Sequence, residues 1–234
     1  MTEPGIYYPE NLKPEELDLL LSKGWYRMGQ GIFTTNYLQK SDLAYRVFWL
    51  RYHLKKVHFG RSQQKIKSAN KNFTSTIKTM ELTEELEALY AKYKSAVSFE
   101  AATSVQYWLF MEQTKNVYNT SIIEIRDGNK LIAAGIFDIG NNSMAGIMNF
   151  YDPEYKKYSP GKYLILLKIE QAITSGMQWY YPGYIVAGYP KFDYKLFADK
   201  DAAELFIPEL NAWVKYHPAI PELIINLNKE EASL

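Results

Sequence analysis

The sequence contains no cysteine, which at once excludes disulfides, thiolate metal sites and a cysteine nucleophile. Its three histidines, His53, His58 and His217, are too few and too scattered for a metal constellation, and no metal is expected. No run approaches the roughly 18 apolar residues of a membrane span. The first thirteen residues carry Glu3, Pro4, Pro9 and Glu10 where a secretory leader would have a basic flank and an apolar stretch. A cytoplasmic protein with no membrane partner is therefore expected. Excess charge is nearly absent as well, since 27 basic residues face 26 acidic ones and leave a net +1.

One local absence is sharper. Between Asp42 and Glu81 there is no acidic residue, while Arg46, Arg51, Lys55, Lys56, Arg61, Lys65, Lys67, Lys71 and Lys78 all fall there. Interleaved with Tyr45, Phe48, Trp49, Tyr52, Phe59 and Phe73, that stretch can neutralise phosphates and offer ring faces to unpaired bases. It can equally be a solvated basic surface, the ordinary place for charge.

What is present is apolar and aromatic. With 234 residues, 47% of them hydrophobic and 15% aromatic, the chain can bury a real core and is not disordered as a whole. Pro14, with Leu17, Leu20 and Leu21 behind it and Gly24 beyond, predicts a short helix. Gly24 to Leu38 suits strands joined by a tight turn, and Tyr45 to His58 suits a longer strand. Thr83 is placed to cap a helix whose Leu86, Leu89, Tyr90, Tyr93 and Val97 share a face, and a second helix is expected over Ser104 to Gln113. The period then changes from helix to strand. Ser121 to Arg126, Leu131 to Asp138 and Met144 to Tyr151, separated by turns at Asp127-Gly128 and Gly140 to Ser143, read as a three-stranded meander. Ser159 as N-cap and Pro160 at the first position open a helix that ends at Gly176, and Trp179 to Val186 is a further strand. The fold class is α+β, a mainly antiparallel mixed sheet with packed helices.

The helix start at Ser159-Pro160-Gly161 is a place where an anion or a carbonyl oxygen could sit, because first-turn amides lack partners within the helix. An ordinary helix start satisfies the same pattern. Lys191, Tyr194 and Lys195 could contact phosphate or simply coat the surface with their long stems.

Taken together, several motifs resemble one family. Phe150-Tyr151-Asp152-Pro153, Tyr158-Ser159-Pro160-Gly161, Ile169-Glu170-Gln171-Ala172, Gly183-Tyr184-Ile185 and Lys191-Phe192-Asp193-Tyr194-Lys195 are similar to the C-terminal half of the arginyl-tRNA-protein and bacterial leucyl-tRNA-protein transferases. Gly24-Trp25-Tyr26-Arg27 and Gly60-Arg61-Ser62-Gln63-Gln64-Lys65, followed by Asn70 and Phe73, resemble that family's N-terminal segments. The chain departs from the family pattern in three places: no cysteine cluster stands within Thr35 to Ala44, Tyr189 takes a frequent cysteine position, and Pro160 replaces a usual leucine.

The resemblance implies a GNAT-like acyltransferase fold that takes aminoacyl-tRNA as co-substrate, with no other cofactor. It implies transfer of arginine or leucine to the amine of acceptor proteins with acidic N-termini. The implied organisation is a basic, strand-containing region over 1–80, a helical segment over 81–115, the acyltransferase core over 116–228 and a disordered tail over 229–234. Tyr151, Asp152, Ser159 and Tyr184 are the candidate catalytic residues on this reading. Arg61, Gln63, Lys65, Gly161, Lys191, Tyr194 and Lys195 are the candidate substrate-binding ones, with Arg61 suited to an acidic side chain. Two alternatives stand beside it: an N-acetyltransferase using acetyl-coenzyme A, and a non-catalytic relative that binds RNA or acidic N-termini.

Overall fold

The computed structural model describes residues 4–40, 42–99 and 101–231. Strand β1 (Gly5–Tyr7) and helix α1 (Pro14–Ser22) lead into β2 (Tyr26–Met28), β3 (Gly31–Thr34), β4 (Tyr37–Lys40) and the long β5 (Leu43–His53). Helix α2 (Arg61–Ala69), β6 (Thr74–Thr79), α3 (Glu84–Ala96) and α4 (Val105–Phe110) follow. The meander is β7 (Thr120–Asp127), β8 (Lys130–Ile139) and β9 (Ser143–Tyr151), and after it come α5 (Pro160–Thr174) and β10 (Trp179–Val186). The chain ends in β11 (Ala203–Ile207), β12 (Ala212–Lys215) and α6 (Ile220–Glu231). Residues 229–231 of the expected tail thus continue α6, and 232–234 lie outside the described residues.

The main sheet runs β12-β11-β5-β10-β9-β8-β7-β6, with β4 attached to β5. Every pairing in it is antiparallel except β9 with β10. A smaller sheet, β1-β3-β2, packs with α1 over β5, β10 and β11. Strand alternation feeds two faces: Ile123, Ile125 and Phe137 meet Leu164, Ile165 and Ile169 of α5, while Ile122, Ile136 and Phe150 meet Leu86, Leu89 and Tyr90 of α3. Each such side chain, fully withdrawn from water, contributes about 1.5–3 kcal/mol.

Helix ends follow their sequence signals. Thr83 Oγ1 accepts from the Leu86 amide at 3.2 Å and Ser104 Oγ from the Tyr107 amide at 2.9 Å. Helix α5 closes on Gly176 at φ +72°, with the Gly176 amide on the Ile173 carbonyl and the Met177 amide on Ala172, the paired bonds of a Schellman motif. Helix α4 stops earlier than expected, at Phe110, where Met111 turns to φ 51°. Among the described residues no helix is long and apolar enough to cross a membrane.

The acid-free basic stretch is taken up by the fold in part, at four of its nine cations. Arg46 pairs with Glu209, Arg51 with Glu204, Lys67 with Glu170 and Lys78 with Glu124. The acids are simply distant in sequence. Of the aromatics interleaved there, Phe48, Trp49 and Tyr52 are core residues, so the alternation reports a strand and not a ladder of base platforms.

Candidate active site

The parallel pair β9 and β10 is hydrogen-bonded only at its start, Ser143 to Ala145 against Trp179 to Tyr181. Beyond that the strands part. Each carries an irregularity at the fork: β9 slips against β8 between Ile136 and Phe137, and β10 against β5 between Tyr180 and Gly183. Extra residues of this kind bend a strand away from its neighbour. Tyr26 from β2 stands at the fork, its hydroxyl reaching the Gly146 carbonyl of β9 and, at 3.0 Å, the Tyr181 carbonyl of β10.

The split opens a cleft of about 900 Å³. One wall is the start of α5, the other the end of β10 and the short 3₁₀ segment Pro190–Leu196, and α3, α4 and the small sheet close it from the opposite face. Tyr151, Ser159, Gly161, Tyr184, Lys191, Tyr194 and Lys195 all line it. Asp152, Arg61, Gln63 and Lys65 do not. Asp152 is buried behind the wall, where its carboxylate bonds the Glu154 amide and pairs with Lys130 at 2.9 Å. Burial alone would raise its pKa, but those two donors hold it below the ordinary carboxylate value. Gln63 braces the far wall by donating to the Phe197 carbonyl at 2.5 Å. Arg61 and Lys65 are exposed on α2.

Ser159 occupies the N-cap position without acting as a cap. Its backbone is left-handed, φ 54° and ψ 49°, and its side chain makes no capping bond, because a cap needs an extended backbone to aim its oxygen at the first turn. Its hydroxyl is therefore left to the cleft. The corner is held from below by Asn70, fully buried, whose Nδ2 donates to the Tyr158 carbonyl at 2.8 Å and the Ile66 carbonyl at 2.9 Å.

Sequence reasoning passed over Lys168. It lies fully buried on α5 at the cleft floor, and its ammonium donates to the Ile136 and Met148 carbonyls and to Asn149 Oδ1 at 2.6, 3.2 and 2.9 Å. These are groups that the β8–β9 slip leaves exposed to the floor. Burial lowers its pKa to about 7, and so it does for Lys195. The signal was available: a lysine inside the apolar run Leu164 to Ile169 has to find polar partners in the core.

The cleft's electrostatics are one-sided. Lys156, Lys162, Lys168, Lys191, Lys195 and Arg27 line it, and among the described residues no carboxylate does. Arg27 is already committed, at 2.8 Å, to buried Asp138. Rings dominate the remaining surface, including Tyr93, Phe99, Trp108 and Phe192. A smaller recess of about 240 Å³ adjoins it beside Tyr93, Ala96, Val97, Phe99, Tyr151 and Pro153. Among the described residues no group of three or more histidines or carboxylates is placed to hold a metal ion.

Residues 85–200 match the family described as arginine-tRNA-protein transferase, C terminus. A relative from Leptospira interrogans is 26% identical over 217 residues, 89% of this chain and 81% of its own. One from Shewanella sp. strain MR-7 is 29% identical over 196 residues, 81% and 79% respectively. Both are named aspartate/glutamate leucyltransferase. Among solved structures, FemX aligns with a TM-score of 0.48 at 10% identity over 81% of this chain and 65% of that one. A GCN5-related N-acetyltransferase from Anabaena variabilis aligns at 0.43, with 9% identity over 86% and 43%.

Proposed function

The chain belongs to the arginine-tRNA-protein transferase family through its segment 85–200, and from that premise we propose that it moves leucine from tRNA to the N-terminal amine of acceptor proteins that begin with Asp or Glu. The observation that carries the reading is the cleft itself, cationic, ring-lined and free of carboxylates among the described residues. Such a surface suits the single-stranded acceptor end of a tRNA, with lysines for phosphates and ring faces for unpaired bases. Leucine is favoured over arginine because a guanidinium in this cleft would meet cations and, among the described residues, no counter-ion. The recess beside Tyr93, Ala96, Val97 and Phe99, lined also by Ser98 and Lys156, offers apolar walls suited to a branched hydrocarbon side chain. The relatives' names agree with both donor and acceptor.

The reaction is aminolysis of an ester. The acceptor nitrogen bonds to the leucyl carbonyl carbon, the bond from that carbon to the ribose oxygen breaks, and the proton lost by the amine ends on the ribose hydroxyl. An α-amine with a pKa of about 7.7–8.0 is partly neutral at pH 7, so positioning and oxyanion stabilisation are the protein's main tasks. The Gly161 amide, at the positive end of α5, and the uncommitted Ser159 hydroxyl would face the developing oxyanion. Tyr151 and Tyr184 are suited to hydrogen-bond the amine or the departing oxygen, and Lys156, Lys162 and Lys191 to hold phosphates. No metal or further cofactor is required, and the work is expected to take place in the cytoplasm. An acetyl-coenzyme A reading is less well supported, since Pro160 withholds the first helical amide that a pyrophosphate would use.

The test is transfer of labelled amino acid from leucyl-tRNA and arginyl-tRNA, separately, to peptides beginning with Asp, Glu or Ala. Label should pass from leucyl-tRNA to the two acidic peptides. Equal transfer from arginyl-tRNA would remove the donor assignment, and transfer from neither would remove the reading.

A further inference from the structure

The two low-pKa lysines of the cleft, Lys168 fully buried and Lys195 half-buried, differ in how far their hydrogens are used. An ammonium has three donors. Lys168 spends all three on Ile136, Met148 and Asn149. Lys195 donates to the Tyr184 carbonyl at 3.0 Å and to nothing further among the described residues. No carboxylate among them pairs with it. Its surroundings are carbon: the Tyr184 ring centre lies 4.7 Å from Nζ and that of Phe192 5.0 Å.

The segment is nevertheless built to hold this ammonium in place. Tyr52, buried in β5, donates to the Lys195 carbonyl at 2.6 Å, and Gln63 holds the Phe197 carbonyl two residues on. Gly183 leaves the space, since a Cβ there would stand 3.0 Å from the lysine Nζ, and its φ of +101° disfavours any other residue. A buried charge is normally paired or fully hydrogen-bonded. Here the cation has a fixed seat, two open hydrogens and a face on the cleft.

We propose that Lys195 Nζ is the specificity-determining cation of the acceptor subsite, receiving the side-chain carboxylate of the acceptor's N-terminal Asp or Glu. This rests on the aminoacyl-transfer reading above. A carboxylate fits better than a tRNA phosphate because it arrives on one or two methylenes, which can lie against Tyr184 and Phe192 while the charge meets Nζ. A backbone phosphate brings a ribose on either side. Exposed Lys156 and Lys191 serve a phosphate better. The titratable groups around Lys195 are tyrosines, Tyr26 from β2, Tyr52 from β5, Tyr184 from β10 and adjacent Tyr194, all with pKa raised by burial and so neutral near pH 7. Since burial lowers the free lysine to about 7, affinity for an acidic acceptor should fall as pH rises from 6 to 8.

Calorimetric titration of the full chain with peptides beginning Asp or Asn, run beside leucine transfer, tests the assignment. Wild type should prefer Asp to Asn. Lys195→Met should raise Kd and KM for the Asp peptide about thirtyfold or more, as expected for losing one partner of a desolvated pair, and abolish its pH dependence. It should leave Asn-peptide binding and the KM for leucyl-tRNA unchanged, and Lys195→Arg should keep part of the preference. An unchanged Asp-to-Asn ratio in Lys195→Met, or no preference in wild type, overturns the proposal. A raised KM for tRNA with a salt slope reduced by about one would assign Lys195 to phosphate instead. Should the preference vanish in Lys195→Met while wild type transfers from no tRNA, the site stands and the transferase reading falls. Transfer that runs with the preference intact in the variant has the opposite meaning.

Discussion

Removing Lys168 should cost stability and removing Lys195 should not, although burial depresses both pKa values to about 7. Lys168→Met strands two carbonyls and the Asn149 oxygen without a donor, a loss of about 3 kcal/mol or more at the usual cost per unsatisfied buried group. Lys195→Met removes a charge that no carboxylate among the described residues pairs. It should be neutral or stabilising by about 1 kcal/mol at pH 6. Urea unfolding of the two variants checks this, and a large loss in Lys195→Met would show that its ammonium is structural after all. The linkage has a definite sign. Each lysine has a folded pKa of about 7 against an ordinary value of 10.5, so between those values the unfolded chain binds the extra proton and stability rises with pH. Below about pH 7 both lysines are charged in both states and their burial cost is fully present. Lys195→Met should therefore flatten part of the rise that wild type shows between pH 7 and 10.

At the scale of elements, the start of α5 is the feature whose function depends on a local misfit. Serine ahead of Pro160 has the sequence signature of a cap, but its left-handed backbone turns the hydroxyl away from the helix amides. Ser159→Ala should consequently change stability by no more than about 0.5 kcal/mol, where loss of a working cap costs about 1. Its kcat for leucine transfer should fall at least about tenfold if the hydroxyl serves the oxyanion. A stability loss with kcat intact would give Ser159 a purely structural part. Composition alone could not have shown this, because it is the Asn70 bond to the Tyr158 carbonyl, 88 residues away in sequence, that braces the corner. The elements themselves were readable where their period was strong. The meander β7 to β9, the bounds of α5 and strand β10 follow directly from alternation, turn residues and helix stops. Helix α2 was not, since Arg61 to Ala69 has one apolar residue of any size, Ile66, and no acid at its start. It is held by tertiary contacts such as Gln63 to Phe197 and Lys67 to Glu170.

Over the whole molecule, the cleft was legible in its ingredients and not in its assembly. Ser159, Gly161, Tyr184 and Lys195 stood out because family-like motifs carry them, and all line one cavity. The place of Tyr26 at the fork, although a family-like motif carries it, and the partners of Lys168 were not legible, because both depend on two strand irregularities that no residue pattern announces. Charge shows the same limit most clearly. Nine cations without an acid between Asp42 and Glu81 suggested a nucleic-acid surface, yet four of them are paired by acids from Glu124 to Glu209. For those four, local excess in sequence is not excess in space, while Lys55, Lys56, Arg61, Lys65 and Lys71 stay exposed. This separates the lysines into two groups by their effect on tRNA binding. Lys191, exposed at the cleft mouth over the Phe99 ring at 3.8 Å, should release a counter-ion when tRNA binds, so Lys191→Gln should reduce the slope of log Kd against log salt by about 0.7–1. Lys67, half-buried and paired with Glu170, should leave the slope unchanged when replaced by Gln. Filter binding of leucyl-tRNA at salt concentrations between 50 and 200 mM distinguishes them, in the range where such contacts respond most. If Lys67→Gln flattened the slope as much as Lys191→Gln, tRNA would be reading the basic stretch as a whole, and the cleft would not be where the acceptor end is held.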